Sequence, residues 1–318
     1  MGGVQNRLRI ISDMVKKRGF DVELFNPFKT KLNKGDVLHI FKLSFETENL
    51  IQYASTHGVK IVISTIVPLI DENKLSLYKF IYKLPMVTTY KLDRMCLDYA
   101  DALITETQRE SDFLSNFYNV NPKKVHVITN GFEKLENVGD EIYNVLGSRF
   151  NYVLQVGRFD KNKNQLNVIK ALKQTQINLV FIGGPGDDTY YQSCIKEAKG
   201  FGNIHFIGWL ESTSKILQSA YQNADLLILP SFYETFGMVA VEGASCGTKL
   251  VMSNTLPITD FDVFKDCHCF SPACINSIRE SVLSALKEPL DKQFTENVIS
   301  FFDWTRIIDM HIALYENL

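Results

Sequence analysis

Short β-branched runs alternate with amphipathic stretches along almost the whole chain, and this alternation is the strongest constraint on its fold. Residues 4–18 carry apolar side chains at helical spacing and stop at Gly19. The runs DVELF (21–25), DVLHIF (36–41), KIVIST (60–65), ALIT (102–105) and KVHVIT (124–129) read as strands, several of them apolar on both faces. Helical stretches at 46–57 and 106–119 separate them. Strands that alternate with helices pair in parallel, with helices on both faces of the sheet.

The pattern pauses at 132–150, a polar segment punctuated by glycine, and then restarts. Strands are expected at 152–157, 178–183, 204–208, 225–230 and 249–253, with helices at 164–174, 189–199, 212–222, 237–246 and 275–287. The expectation is an α/β protein of two doubly wound domains facing a cleft. Residues 1–140 form the first domain, 151–300 the second, and 301–318 a helix that returns to the first. A doubly wound domain normally opens with a central strand. This sequence opens on a glycine turn and a helix, so the first domain is expected to lack its first strand.

A length of 318 residues suits two such domains. The formal net charge of -2 does not point to a nucleic-acid binder. No apolar run approaches a membrane span, and MGGVQNRLRI lacks the apolar core of a signal peptide. The expected location is the cytoplasm. Cys96, Cys194 and Cys246 read as small core residues. The group DCHCFSPAC (266–274) has no second Cys/His pair to complete a zinc site, so no metal is expected.

Two loops of the second domain carry the chemistry. VGRFDKNKN (156–164) places Gly157, Arg158 and Lys163 at a strand-to-helix turn, where cations beside a helix start suit a diphosphate. A solvated basic loop is the bland alternative. PSFYETFGMVAVEG (230–243) places Glu234 in a loop after a strand and Gly237 at a helix start, with Glu242 in the first turns. Amides of Gly237, Met238 and Val239 beside two carboxylates suit a phosphate joined to hydroxyl-bearing groups. The bland alternative is an acidic helix start complementing its own dipole.

The segments VGRFDKNKNQLNVIKAL, VFIGGPGD, IHFIGWL, ADLLILPSFYETFGMVAVEGASCG and FDWTRIIDMHIALY together resemble glycosyltransferase family 4. The resemblance covers nearly all of 151–318 and includes that family's Glu-x7-Glu motif as Glu234 and Glu242. GGVQNRLRIISDMVKKRGFDVEL, YADALITETQRESDFL and VHVITNGFE extend it more weakly into the first half. The resemblance implies the GT-B fold and a retaining transfer from a nucleotide-diphosphate sugar to a saccharide or lipid-linked saccharide. Surface polysaccharide biosynthesis is the implied setting. Arg158 and Lys163 would hold the diphosphate, Glu234 would orient the sugar, and Glu242 would bind the ribose hydroxyls. Gly237, Met238 and Val239 would offer amides to phosphate, and the Gly2–Gly3 turn would approach from the first domain. No cofactor or metal is implied beyond the donor itself.

Two departures accompany the resemblance. Many relatives carry a histidine after the strand matching KIVIST, where this chain reads STIVPLI (64–70), and the first strand is missing. An inactive, transferase-like subunit is the rival these departures favour, and the intact Arg158, Lys163, Glu234 and Glu242 oppose it. Asp260-Phe261-Asp262 matches the metal-binding triplet of the other large glycosyltransferase fold, but one such triplet is expected by chance in this composition.

The first domain should carry the acceptor side. Its basic share concentrates at 73–94, where Lys79 and Lys83 interleave with Tyr78, Phe80 and Tyr82. That mixture suits peripheral contact with an anionic membrane. It suits equally a core helix with snorkelling lysines.

Overall fold

The structure is a computed structural model that describes residues 3–67, 72–84, 86–133 and 135–318, the side chains of residues 3, 72–75 and 83 excepted. The chain divides into two compact units, residues 1–131 with 304–318, and residues 132–303.

The first unit opens with α1 (Gly3–Lys17), followed by β1 (Val37–Phe41), α2 (Glu48–Thr56), β2 (Lys60–Ser64), α3 (Glu72–Lys83) and α4 (Thr89–Tyr99). It continues with β3 (Ala102–Thr105), α5 (Gln108–Tyr118) and β4 (Val125–Val127). The four strands form one parallel sheet in the order β1-β2-β3-β4. β2 and β3 are central because KIVIS and ALIT are apolar on both faces. Ile61, Ile63 and Leu103 pack one way, against α2, α4 and α5. Val62, Ala102 and Ile104 pack the other way, against Ile10, Ile11 and Val15 of α1 and Ile307 and Ile308 near the C-terminus.

Residues 21–25 are not a strand. A strand needs a ladder partner, and among the described residues β1 is the outermost strand, so DVELF has none beside it. Val22 packs loosely on the α1 face and Leu24 is exposed. The sheet therefore has no internal gap; it ends at β1.

The second unit contains α6 (Glu141–Leu146), β5 (Tyr152–Val156), α7 (Gln165–Leu172), β6 (Asn178–Ile182), α8 (Asp188–Ala198), β7 (Ile204–Gly208) and α9 (Lys215–Asn223). Then come β8 (Leu226–Leu229), α10 (Met238–Ser245), β9 (Lys249–Ser253), β10 (His268–Phe270), α11 (Ile275–Lys287) and α12 (Lys292–Phe301). The last helix, α13 (Trp304–Glu316), belongs to the first unit. Residues 132–150, read from sequence as a junction, pack in the second unit, where Phe132 and Ile142 are buried.

Six parallel strands run in the order β10-β9-β8-β5-β6-β7. β5 is thus central, and the chain runs outward from it in one direction through β6 and β7 and in the other through β8, β9 and β10. The order reverses between β5 and β8, and ligands of such sheets bind outside the strand carboxyl ends at that switch point. The loop leaving β5 carries Arg158 and Lys163, and the loop leaving β8 carries Glu234 and leads into α10, which carries Glu242. β10 comes from the Cys/His segment that sequence reading treated as a metal candidate. Its Phe270 is buried, and its backbone pairs with β9.

Candidate functional site

The β5 loop is shaped by local hydrogen bonds. Asp160 Oδ1 accepts from Lys163 N at 2.9 Å and caps the short turn Lys161–Lys163. Asn164 takes a left-handed conformation at φ +60, and its side-chain amide donates to Pro230 O at 3.1 Å and Pro272 O at 2.7 Å. That amide ties the β5 loop to the end of β8. A second tie uses Asn162, whose carbonyl accepts from Phe232 N at 2.9 Å while its side chain exchanges two bonds with the Tyr233 backbone. The loops from the two sides of the switch point are thereby fixed to each other.

Gly157 lies at φ +153, beside Gly183 at the end of β6. A Cβ on Gly183 would stand 2.0 Å from the Gly157 carbonyl oxygen, so the two backbones approach too closely for any side chain there.

Lys163 Nζ is ion-paired with Glu234 Oε1, and Ser231 Oγ donates to the same oxygen at 2.7 Å. Both charged side chains are about four-fifths buried, at 21% and 18% exposure. Arg158 differs. Its backbone is fixed by the loop, but its side chain is 75% exposed and its nearest acid, Asp160, is 3.9 Å away. Sequence reading expected two fixed cations; the structure holds one in place and leaves the other in solvent.

Gly237, at φ +108, is the N-cap of α10, so Met238 and Val239 form the first helical turn there. Amides of a first turn have no intrahelical acceptor. Glu242 lies one turn further along. Tyr221 of α9 donates its hydroxyl to Glu242 Oε2 at 2.7 Å. Burial pushes the Glu242 carboxyl above its ordinary range, and the Tyr221 bond pulls against that shift.

Gly157, Arg158, Lys163, Glu234, Gly237, Met238, Val239 and Glu242 therefore all lie at the switch point of the second unit. Gly3 is the first residue of α1 in the other unit, and Gly2 lies outside the described residues, as do residues 68–70 of the STIVPLI stretch. Sequence reasoning missed Ser231, Tyr221, Asn162 and Asp160. Each acts through a neighbour, with no motif of its own. It also missed Trp209, which follows β7 and is 67% exposed. Among the described residues no group of three metal-ligating side chains forms, and the Asp260-Phe261-Asp262 triplet lies on two short turns with both aspartates exposed.

The second unit thus combines a six-stranded doubly wound sheet with a basic loop and a Glu-x7-Glu helix at its switch point. Residues 143–300, nearly all of the second unit, match the family model described as glycosyl transferases group 1. Among curated proteins, the chain is 30% identical over 168 residues to D-inositol 3-phosphate glycosyltransferase of Mycobacterium leprae, covering 50% of this chain and 39% of that protein. It is also 30% identical over 149 residues to an uncharacterized 41.2 kDa protein in the cps region of Klebsiella pneumoniae, covering 44% of this chain and 39% of that one. The chain thus spans about two fifths of the length of these relatives. Among solved structures, Anabaena Alr3699/HepE in complex with UDP and glucose aligns with a TM-score of 0.69 at 17% identity, covering 100% of this chain and 96% of that one. Sucrose-phosphate synthase from Thermosynechococcus elongatus aligns with a TM-score of 0.69 at 19% identity, covering 88% and 73%. The fold class is GT-B, built from two parallel-sheet α/β units.

Proposed function

We propose that the protein is a retaining glycosyltransferase that moves a sugar from a nucleoside-diphosphate sugar to a saccharide or lipid-linked saccharide acceptor. The observation that carries this reading is the Lys163–Glu234 pair, buttressed by Ser231, at the switch point and one helix start away from Glu242. Glu234 accepts sugar hydroxyls, Glu242 accepts ribose hydroxyls, and Lys163 with Arg158 takes the diphosphate. In the transfer step the bond from the sugar's anomeric carbon to the diphosphate oxygen breaks. The acceptor oxygen bonds to that carbon on the same face, and its proton passes to the departing phosphate oxygen. Negative charge grows on that leaving group, where Lys163 and Arg158 stabilise it without a metal ion.

The test separates the two carboxylates. Glu242→Ala should weaken nucleoside-diphosphate binding in calorimetry, whereas Glu234→Ala should leave it nearly intact and lower turnover of the sugar donor. Unchanged nucleotide affinity in Glu242→Ala would remove the ribose assignment. Transfer should also persist in excess chelator; loss restored by manganese would return attention to Asp260 and Asp262.

Peripheral membrane contact is the further part of this reading. On α3, Tyr78 and Tyr82 turn into the core of the first unit, while Leu77 and Phe80 are exposed beside the exposed Lys79. Met86 and Val87 extend the apolar strip beyond the helix. The Lys83 side chain lies outside the described residues. No described helix is long and apolar enough to cross a membrane, so the contact would lie at the interface. Flotation with vesicles containing anionic lipid, compared between wild type and Leu77→Ser/Phe80→Ser, tests it; equal flotation of both argues against the strip.

A further inference from the structure

We infer that Tyr221 is a positioning residue for the nucleotide site, its hydroxyl holding the Glu242 carboxylate in the orientation that receives the ribose hydroxyls of a nucleoside diphosphate. The inference rests on the donor-site reading above and adds a residue that no motif contains.

The geometry is specific. Tyr221 is 1% exposed, and its ring lies in the main core of the second unit. Its carbonyl also accepts from Thr248 Oγ1, so main chain and ring are both held. The hydroxyl at the end of this fixed ring reaches Glu242 Oε2 at 2.7 Å. A glutamate side chain has three rotatable bonds, and this hydrogen bond selects one placement among them. With Oε2 taken by Tyr221, Oε1 is the oxygen left for a ligand.

The surroundings give the contact a signature beyond packing. Two titratable groups face Glu242: Tyr221 from α9 and Cys246, one turn further along α10. Burial first, and then the Glu242 charge, pushes the Cys246 thiol up to about 12, so it stays neutral. Among the described residues no cation offsets the carboxylate. Burial raises the Glu242 carboxyl, and the tyrosine donor is what opposes that rise. A carboxylate that accepts ribose hydroxyls must be ionised. Nucleotide affinity therefore falls as pH drops through the Glu242 titration, and loss of the tyrosine hydroxyl moves that fall to higher pH.

The experiment is calorimetry with UDP, GDP and ADP between pH 6 and 8.5 on wild type, Tyr221→Phe, Glu242→Gln and the double variant. Melting temperatures verify that Tyr221→Phe, which keeps the ring, still folds. For the tightest of the three nucleotides, Tyr221→Phe should bind about tenfold more weakly at pH 7, the scale of a lost bond to a charged group, with the deficit larger at lower pH. Glu242→Gln should bind weakly at all these pH values, and adding Tyr221→Phe to it should cost little more. Wild-type affinity and pH profile in Tyr221→Phe would overturn the inference while leaving the donor site standing. So would an undiminished Tyr221→Phe penalty in the Glu242→Gln background. Failure of the wild type to bind any of the three would overturn the donor-site reading and the inference with it.

Discussion

Lys163 and Glu234 neutralise each other across the switch point of the second unit, with Ser231 donating to the same carboxylate oxygen. The pair keeps two mostly buried charges in place before any ligand arrives. A diphosphate that draws on Lys163 and a sugar that draws on Glu234 would each use a group the other has already oriented, which is the preorganisation that favours electrostatic catalysis. Lys163→Ala should therefore do two things. It removes the cation at the leaving group, and it leaves Glu234 repelling the incoming diphosphate. We expect kcat/KM for the sugar donor to fall by about 10²–10³-fold, the scale of losing one preorganised charge contact. Arg158→Ala should cost less, because its side chain is 75% exposed and is not held in place as Lys163 is. Steady-state kinetics on the two variants decide the order; an equal or larger loss for Arg158→Ala would reverse it.

Gly183 offers a purely steric test. Its added Cβ would lie 2.0 Å from the Gly157 oxygen and 2.6 Å from the Gly157 carbonyl carbon, backbone atoms that cannot swing aside. Gly183→Ala must push the β5 loop outward, and Lys163 with it. We expect a clear drop in melting temperature and a matching loss of nucleotide affinity. Gly202→Ala, where an added Cβ meets nothing within 4 Å, is the control and should change stability by less than about 0.5 kcal/mol. A Gly183→Ala protein as stable as the control would mean that the loop tolerates displacement.

Most strands were legible because burial on both faces leaves continuous apolar runs such as YVLQV and LLIL. DVELF alternates apolar with charged residues as a half-buried strand would, yet is no strand, because strand formation depends on a neighbour that composition does not reveal. β10 was hidden for the opposite reason: HCF is short and drew attention as a ligand group, although its backbone pairs with β9. At the site, Arg158, Lys163, Glu234 and Glu242 were placed in the right loops by motif spacing. The Lys163–Glu234 pair spans 71 residues and the Tyr221–Glu242 bond joins two different helices, so neither contact is visible until the sheet order brings the loops together.

Two histidines, the buried His311 and the half-buried His39, make the first unit sensitive to acid. His39 Nδ1 lies 2.7 Å from the Tyr315 hydroxyl and Nε2 lies 2.9 Å from Ser64 Oγ, while His311 Nδ1 is 3.4 Å from the same tyrosine. Burial first, then the charges of His311 and Arg7, holds His39 well below 6.5. Burial and then Arg7 lower His311 to about 3. Groups whose folded values are depressed bind more protons when unfolded, so stability falls as pH drops below 6.5. The fall is about 1.4 kcal/mol per pH unit for each histidine until its folded value is reached. Glu110 opposes this. Burial raises it to about 6, so its protonation in the folded state returns some stability between roughly 6 and 4.5. Two histidines outweigh one carboxyl over that window. The urea midpoint of the transition that unfolds the first unit should therefore decline steadily from pH 7 to 5, and less steeply in His311→Phe. A flat or rising midpoint would mean that these histidines are not held neutral in the folded protein.

The two units should also differ in local stability. The first sheet has four strands and ends at β1, whose outer N–H and C=O groups have no strand beside them among the described residues. Val37 at the start of that strand is 37% exposed, and residues 21–25, which could have covered the edge, carry no ladder bonds. In the second unit β5 and β8 are flanked on both sides, in a sheet of six. Amide protection follows the cost of local opening, which rises with paired neighbours and buried apolar contacts. Hydrogen exchange measured on this chain should therefore show faster exchange over 20–130 than over 151–290, with the edge strands β1 and β4 the least protected of their sheet. The central β2 and β3 should be the slowest elements of the first unit, since both are buried on two faces. Protection of β1 and β4 equal to that of β5 would show that something other than a strand shields those edges, and the expected difference between the two units would fail.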